Sequence, residues 1–299
     1  MSKNIIAQAP LRISIAGGGS DLECFYENNG PGRVLNFAIK KYVRTYLSSR
    51  DKIIHTRTPI VEKILSDYQI QESFDLENAA DIEPNSGLGT SSAYIVSLLM
   101  ALKKFKNDKI DKHLLIEEAF QYESLMHSFK ICGKQDICAA IFGGIGYYEF
   151  ETQKVKYVNL TTNDSKYFFE NYFSLLKLPL TRADDNPLNL NPEILSQISC
   201  LALRAREALF NSDYHMITNI INEGWELKKK TNQFPMPIEL QSILEQFDIN
   251  EILSYRTLGS GFTGHLLTQH SARHQANYVM PLPIIPIQIE DRGAYAYEY

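Results

Sequence analysis

The stretch Glu83-Pro84-Asn85-Ser86-Gly87-Leu88-Gly89-Thr90-Ser91-Ser92-Ala93 runs a glycine turn into three consecutive hydroxyls and then into an apolar segment at 94–102. Gly87 and Gly89 let backbone approach a ligand closely, and the apolar segment reads as a helix whose N-terminus faces the turn. Its unpaired N–H groups attract anions. Thr90, Ser91 and Ser92 can cap that helix or bind a metal that bridges phosphates. The arrangement therefore reads as a phosphate-holding turn, and a glycine turn with an ordinary hydroxyl cap is the alternative.

Outward from this turn, composition bounds the answer. The chain has 299 residues, 44% of them hydrophobic, enough for a sizeable core in one large or two modest domains. A net charge of −5 gives no general attraction to nucleic acid, and no basic block suggests a nucleic-acid arm. Cys24, Cys132, Cys138 and Cys200 are sparse and show no C-x-x-C spacing, which argues against a disulfide scaffold or thiolate zinc site. The longest apolar run is half a membrane span. Residues 5–9 faintly mimic a signal cleavage site, but the apolar region before them is too short. A cytoplasmic protein with no membrane or nucleic-acid partner is expected.

Along the chain, 13–16 read as a short strand entering the Gly17-Gly18-Gly19 turn. Residues 43–50 alternate as a strand, with 52–57 as its hairpin partner. Helices are expected over about 91–105 and 111–130, and a strand at 143–150. Residues 181–192 read as a loop, followed by two helices up to about 230 that divide near Asn211-Ser212-Asp213. The proline-rich 281–289 stretch reads as a terminal edge strand. On the helix after Asp111, Glu123 shares a face with Ile116, Ala119, Phe120 and Met126, so it points inward. A carboxylate on an apolar stripe needs a partner, either a divalent cation or a basic residue.

Two further segments give the turn its context: Pro10-Leu11-Arg12-Ile13-Ser14-Ile15-Ala16-Gly17-Gly18-Gly19-Ser20-Asp21 and Gly133-Lys134-Gln135-Asp136. With Val34-Leu35-Asn36-Phe37-Ala38-Ile39 between them, the set resembles the small-molecule kinases of the galactokinase, homoserine kinase, mevalonate kinase and phosphomevalonate kinase (GHMP) superfamily. Within it the pattern is most similar to D-glycero-D-manno-heptose 7-phosphate kinases. The resemblance is dense from Ala9 to about Phe150 and thins afterwards.

The resemblance implies an α+β, two-lobed fold with a mixed-sheet N-terminal domain over 1–160 and an α+β C-terminal domain over 161–299, with the active site in the cleft between them. It implies that Pro84, Ser86, Gly87, Leu88, Gly89, Thr90, Ser91 and Ser92 hold ATP. Thr90 and Glu123 would bind Mg²⁺, which favours hard oxygen ligands. Asp136 would be the catalytic carboxylate, although locally it also reads as a helix cap. Arg12 would stabilise Asp136 and the transferred phosphoryl group. Gly18, Gly19, Ser20 and Asp21 would meet the acceptor sugar, with Lys134 as a contact for its phosphate. Arg33 and Lys41 are weaker candidates for that phosphate. Trp225 falls in a segment similar to a family E-x-W-x-x-K helix, where packing explains it equally well.

Competing assignments fail on residues. No G-x-x-x-x-G-K-[ST], H-R-D or D-F-G occurs, and His265, His270 and His274 lack an H-E-x-x-H context. Three departures stand out. Asn85 replaces a usual glycine, and the third glycine-rich motif is reduced to Gly259-Ser260-Gly261-Phe262-Thr263-Gly264-His265. The family's basic segment has no clear counterpart near 178–185. Thr263 and His265 are expected to crowd the phosphates and weaken nucleotide binding. The expected activity is ATP-dependent phosphorylation of the anomeric hydroxyl of D-glycero-D-manno-heptose 7-phosphate, with self-association left open. A fucokinase-like or other sugar kinase, or a nucleotide- or sugar-binding relative with impaired turnover, is the alternative.

Overall fold

In the computed structural model, which describes residues 4–49, 58–70, 74–127, 132–152, 154–180, 190–233, 235–248, 250–272 and 282–299, the first strand shows how the layers lie. β1 (Asn4–Ala16) alternates between half-buried and buried positions over its first five residues and is then buried continuously. Alternation means one solvated face, and continuous burial means cover on both.

The chain continues through α1 (Glu23–Asn29), β2 (Gly32–Ser49), α2 (Pro59–Asp67), β3 (Phe74–Ala80), α3 (Thr90–Lys106), α4 (Lys112–Met126), α5 (Gln135–Phe142), β4 (Ile145–Glu151) and β5 (Lys154–Asn159). It then forms α6 (Asn163–Tyr172), β6 (Phe173–Lys177), α7 (Pro192–Phe210), α8 (Tyr214–Thr231), α9 (Ile238–Leu244), β7 (Ile252–Thr257), β8 (His265–His270), β9 (Ile284–Pro286) and β10 (Tyr295–Glu298). This is the expected α+β class with two sheets.

The first sheet has the order β10-β1-β2-β4-β5, with β3 paired to the far half of β2, and the second has the order β7-β8-β6-β9. Among the described residues every strand pairing is antiparallel, so the mixed sheet expected for the first half is corrected. Its strands reverse beside one another, as β1 does into β2 through residues 17–31, and need no parallel crossover. The expected 52–57 hairpin partner lies outside the described residues, and the strand that pairs with the end of β2 is β3. The helix expected to reach 130 ends at Met126, and most of the 181–192 loop lies outside the described residues.

The prolines at 281–289 do mark an edge: β9 is the outer strand of the second sheet. The chain does not end there. Ile289 bridges Ile39, and β10 pairs with β1, so the tail returns to the first sheet. The expected domain change at residue 160 falls between β5 and α6.

Helices fix the layers. α3 and α5 pack on β1, α4 packs on both helices, and α7 packs on β1 and β2. α8 pairs with α7 and reaches β7, so this helical pair joins the two sheets. Asn191 caps α7 through Glu193 N and Ile194 N with Pro192 at its first position, and Asp213 caps α8 through Met216 N. Trp225 lies in a satellite core under the second sheet, edge-on to Tyr255 and Phe262. Among the described residues no helix is long and apolar enough to cross a membrane.

Candidate active site

A cleft of about 380 Å³ is walled by the 85–92 turn, the 16–19 turn, α7 and α8. Arg12 and Asp136 form its charged floor. Arg12 projects from β1, donating from Nε to Asp136 Oδ1 at 2.7 Å and from Nη2 to Oδ2 at 2.6 Å. This is a two-point, charge-assisted contact that sets the plane of the carboxylate. Arg12 also donates from Nη1 to Gly87 O at 2.5 Å, and its backbone N donates to Leu88 O at 3.0 Å. One buried guanidinium therefore ties the carboxylate to the glycine turn. Asp136 lies in the first turn of α5, where Lys134 is the N-cap, so it is not the cap that its local sequence allows.

The turn adopts the conformation that its glycines suggest. Asn85, Gly87 and Gly89 all have positive φ, at 61°, 79° and 78°, and Asn is among the residues that tolerate this region. A Cβ on Gly87 would lie 2.5 Å from Leu258 O, and one on Gly89 would lie 3.2 Å from the Asp136 side chain. Gly89 is the N-cap of α3 and supplies no side-chain cap, so the first N–H groups of that helix face the cleft without one. The three hydroxyls do not cap it either. Thr90 lies 3.1 Å from Ser86 Oγ, and Ser92 turns to Glu123. Pro84 is exposed outside the cleft, and Leu88 buries its side chain in the core. These two contribute backbone shape rather than contacts.

Glu123 points inward as its helical spacing predicts, and it reaches the cleft beside Thr90, Ser91 and Ser92. Ser92 Oγ donates to both carboxylate oxygens at 2.7–2.8 Å, while His127 Nε2 stands 4.0 Å from Oε1. Burial, with Asp136 and Asp21 nearby, pushes Glu123 up to about 8. A buried carboxylate facing hydroxyls in a cleft suits a hard divalent cation, which would favour its ionised form. Among the described residues no three His, Cys, Asp or Glu side chains converge, so such an ion would draw its other ligands from hydroxyls and phosphates.

The acceptor set is divided by the structure. Gly18, Gly19 and Asp21 line the cleft, but Asp21 is buried and accepts from Gly19 N, Gln135 N and Gln135 Nε2 at 2.9–3.1 Å. Its oxygens hold the 17–19 turn against the start of α5. Ser20 is fully buried, donating to Gly17 O and Arg33 O, and does not face the cleft. Lys134 is turned away as well: its Nζ donates to Glu117 at 2.7 Å, lies 3.3 Å from Glu23 and sits over the Phe120 ring. Arg33 pairs with Glu149. Ser20, Lys134 and Arg33 therefore leave the acceptor set.

Two cleft cations had no role in the sequence reading: Lys228 on α8, the lysine of the E-x-W-x-x-K segment, and Arg256 on β7. A signal for each exists. Ile217, Ile221, Gly224, Lys228 and Thr231 form one helical stripe, and Ile252, Ser254 and Arg256 alternate inward along β7. A lysine within Lys228-Lys229-Lys230 reads as solvated unless the stripe is followed to its end.

The expectation for the third motif is also corrected. His265 does not crowd the cleft. It is buried on β8, where its Nδ1 lies 2.9 Å from Ser86 O. A carbonyl only accepts, so Nδ1 carries the hydrogen and props the turn from behind. Burial pushes His265 below its ordinary value, in keeping with a neutral ring. Gly259 packs directly on Gly87.

Comparisons with known proteins bear on the fold that carries this site. The family model for the N-terminal domain of GHMP kinases matches residues 55–144. A curated D-glycero-alpha-D-manno-heptose 7-phosphate kinase of Campylobacter jejuni is 26% identical over 312 aligned positions, covering 88% of this chain and 88% of that one. Among solved structures, a D-glycero-D-manno-heptose 1-phosphate kinase from Bacteroides thetaiotaomicron superposes with a TM-score of 0.78 at 22% identity over 99% of both chains. Lactococcus lactis galactokinase in complex with galactose superposes with a TM-score of 0.71 at 16% identity, covering 97% of this chain and 94% of that one. At these identities the superpositions establish the fold.

Proposed function

This chain belongs to the GHMP kinases, which are ATP-dependent phosphotransferases, and from that premise we propose that it phosphorylates the anomeric hydroxyl of D-glycero-D-manno-heptose 7-phosphate. The products would be the 1,7-bisphosphate and ADP, feeding nucleotide-heptose and surface-polysaccharide synthesis in the cytoplasm. The observation that carries the reaction type is the Arg12–Asp136 pair in a cleft shared with the glycine turn. The curated relative supports the choice of acceptor.

The N–H groups at the start of α3 and the backbone of 85–89 would receive the ATP phosphates. Asp136, held in plane by Arg12, would orient the acceptor hydroxyl and take its proton as the oxygen forms a bond to the γ-phosphorus. The bond from that phosphorus to the β–γ bridging oxygen breaks, and its electron pair leaves with ADP. Arg12, bonded at once to Asp136 and Gly87, would offset charge on the moving phosphoryl group. Thr90 and Glu123 would hold Mg²⁺, which would supply positive charge to offset that of the ATP phosphates. Gly18 and Gly19 would let the sugar approach backbone closely, and Asp21 would position that turn. In this reading 1–160 form the nucleotide lobe and 161–299 the second lobe, with the tail after Ile289 returning to the first.

Transfer of label from γ-labelled ATP to a sugar panel tests the assignment. The heptose 7-phosphate is expected to give the highest kcat/KM and an alkali-stable 7-phosphate with an acid-labile new ester. Faster transfer to fucose or another free sugar would replace the acceptor. ATP binding without transfer to any sugar would make the chain a binding relative.

A further inference from the structure

Lys228 and Arg256 are buried cations without a buried anion. Their side chains line the cleft, and the two residues are 6% and 8% exposed. Among the described residues neither forms an ion pair. Lys228 Nζ donates to Thr257 O at 2.6 Å and to Gly259 O at 2.7 Å, leaving one of its three hydrogens free. Arg256 donates from Nη1 to Ile15 O at 2.5 Å, and its buried Nε has no partner. Desolvation and the neighbouring guanidiniums push Lys228 well below its ordinary range and Arg256 down to about 10. Burying two like charges beside each other is unfavourable unless an anion joins them.

Position identifies the anion. The N–H groups of α3, the 85–89 backbone, Arg12 and Asp136 line this same cleft. Arg256 attaches to Ile15 O, where β1 runs into the 17–19 turn that lines the cleft. An anion held by Arg256 would therefore sit beside the 17–19 turn, where the proposed acceptor sugar approaches backbone. The guanidinium fork and the ammonium together suit a phosphate monoester dianion better than a single carboxylate.

We infer that Lys228 and Arg256 form an anion subsite at the acceptor end of the cleft that takes the phosphate of a phosphorylated acceptor, in place of the Lys134 contact expected from the sequence. This rests on the reading of the cleft as a sugar-kinase site. It explains how a chain with no clear basic segment near 178–185 can still select a sugar phosphate.

The test uses the whole protein with its nucleotide site saturated by a non-hydrolysable ATP analogue, and inorganic phosphate as the probe. Wild type should gain thermal stability as phosphate is added. Arg256→Gln should bind phosphate about tenfold more weakly or worse, as expected on losing one charged hydrogen-bonding partner. Its affinity for the analogue should be unchanged. In turnover the same substitution should raise KM for the phosphorylated acceptor and leave KM for ATP alone. If Arg256→Gln does not fold, Arg256→Lys retains the charge without the fork and should show an intermediate phosphate response. The subsite is overturned if wild type ignores phosphate, if the variant responds like wild type, or if the variant loses the analogue instead. Failure of the heptose as a substrate would revise the acceptor alone, because the phosphate titration reads the subsite without turnover.

Discussion

Asp136 shows what a single side chain contributes here. Its two oxygens are fixed by Arg12, yet the group remains open to the cleft beside Gly89. Asp136→Asn keeps the shape, but its amide cannot take a proton and would present hydrogens to the guanidinium. Turnover should fall about a hundredfold or more with ATP affinity nearly unchanged, consistent with loss of a general base. Steady-state kinetics beside an ATP titration check this, and a wild-type rate would remove Asp136 from the reaction. Thr90→Val and Glu123→Gln should each raise the Mg²⁺ concentration needed for activity. Ligands of one ion are not independent, so a double-mutant cycle should show non-additive losses. Additive losses with unchanged Mg²⁺ dependence would leave Glu123 as the structural partner of Ser92. The inward face of Glu123 was legible from helical spacing, whereas the pairing of Arg12 with Asp136 was expected only from the family resemblance. Lys228, although it closes the E-x-W-x-x-K segment, and Arg256 were given no role, because a buried cation without a partner runs against the expectation that lysine and arginine face water.

At the scale of elements, two buried polar groups hold turns in place. Asp21 joins the 17–19 turn to the start of α5, and burial raises it from an ordinary 3.8 to about 6. Between those values the folded chain keeps a proton that the unfolded chain has released, so stability falls as pH rises through this window. The loss amounts to about 3 kcal/mol at most. The stability difference between wild type and Asp21→Asn should therefore be largest below pH 3.8 and shrink by about pH 6, as chemical denaturation would measure. A difference that is flat with pH would exclude this linkage. His265 joins β8 to the glycine turn through Ser86 O. Thr263→Gly/His265→Gly should weaken ATP binding by about fivefold, the worth of roughly one net hydrogen bond. Tighter binding by calorimetry would restore the crowding expected from the sequence.

For the whole molecule, the return of the tail is the feature with the largest consequence. β10 supplies the outer strand beside β1, and Ala294 N donates to Ala140 O at 2.7 Å. Truncation after Gly293 would bare an edge of β1 and remove a few ladder hydrogen bonds, costing about 3 kcal/mol at roughly 1 kcal/mol each. The urea midpoint should drop accordingly. The cleft should also loosen, since β1 carries Arg12 and Ile15. An unchanged midpoint would show that β10 adds nothing to the first sheet.

Local pattern was enough to establish some of this protein. The glycine turn, the helix after it and the inward face of Glu123 all depend on residues near each other in the chain, where periodicity and backbone preference act directly. Asn85 at positive φ is a local property of the same kind. Tertiary structure decided what distant segments do to one another. It brought Arg256 to Ile15, Lys228 to the 257–259 backbone and β10 to β1, and it turned Lys134 away toward Glu117. The reason is physical: the partner of a buried charge is chosen by packing and desolvation across the fold, and neither is written in the spacing around that residue.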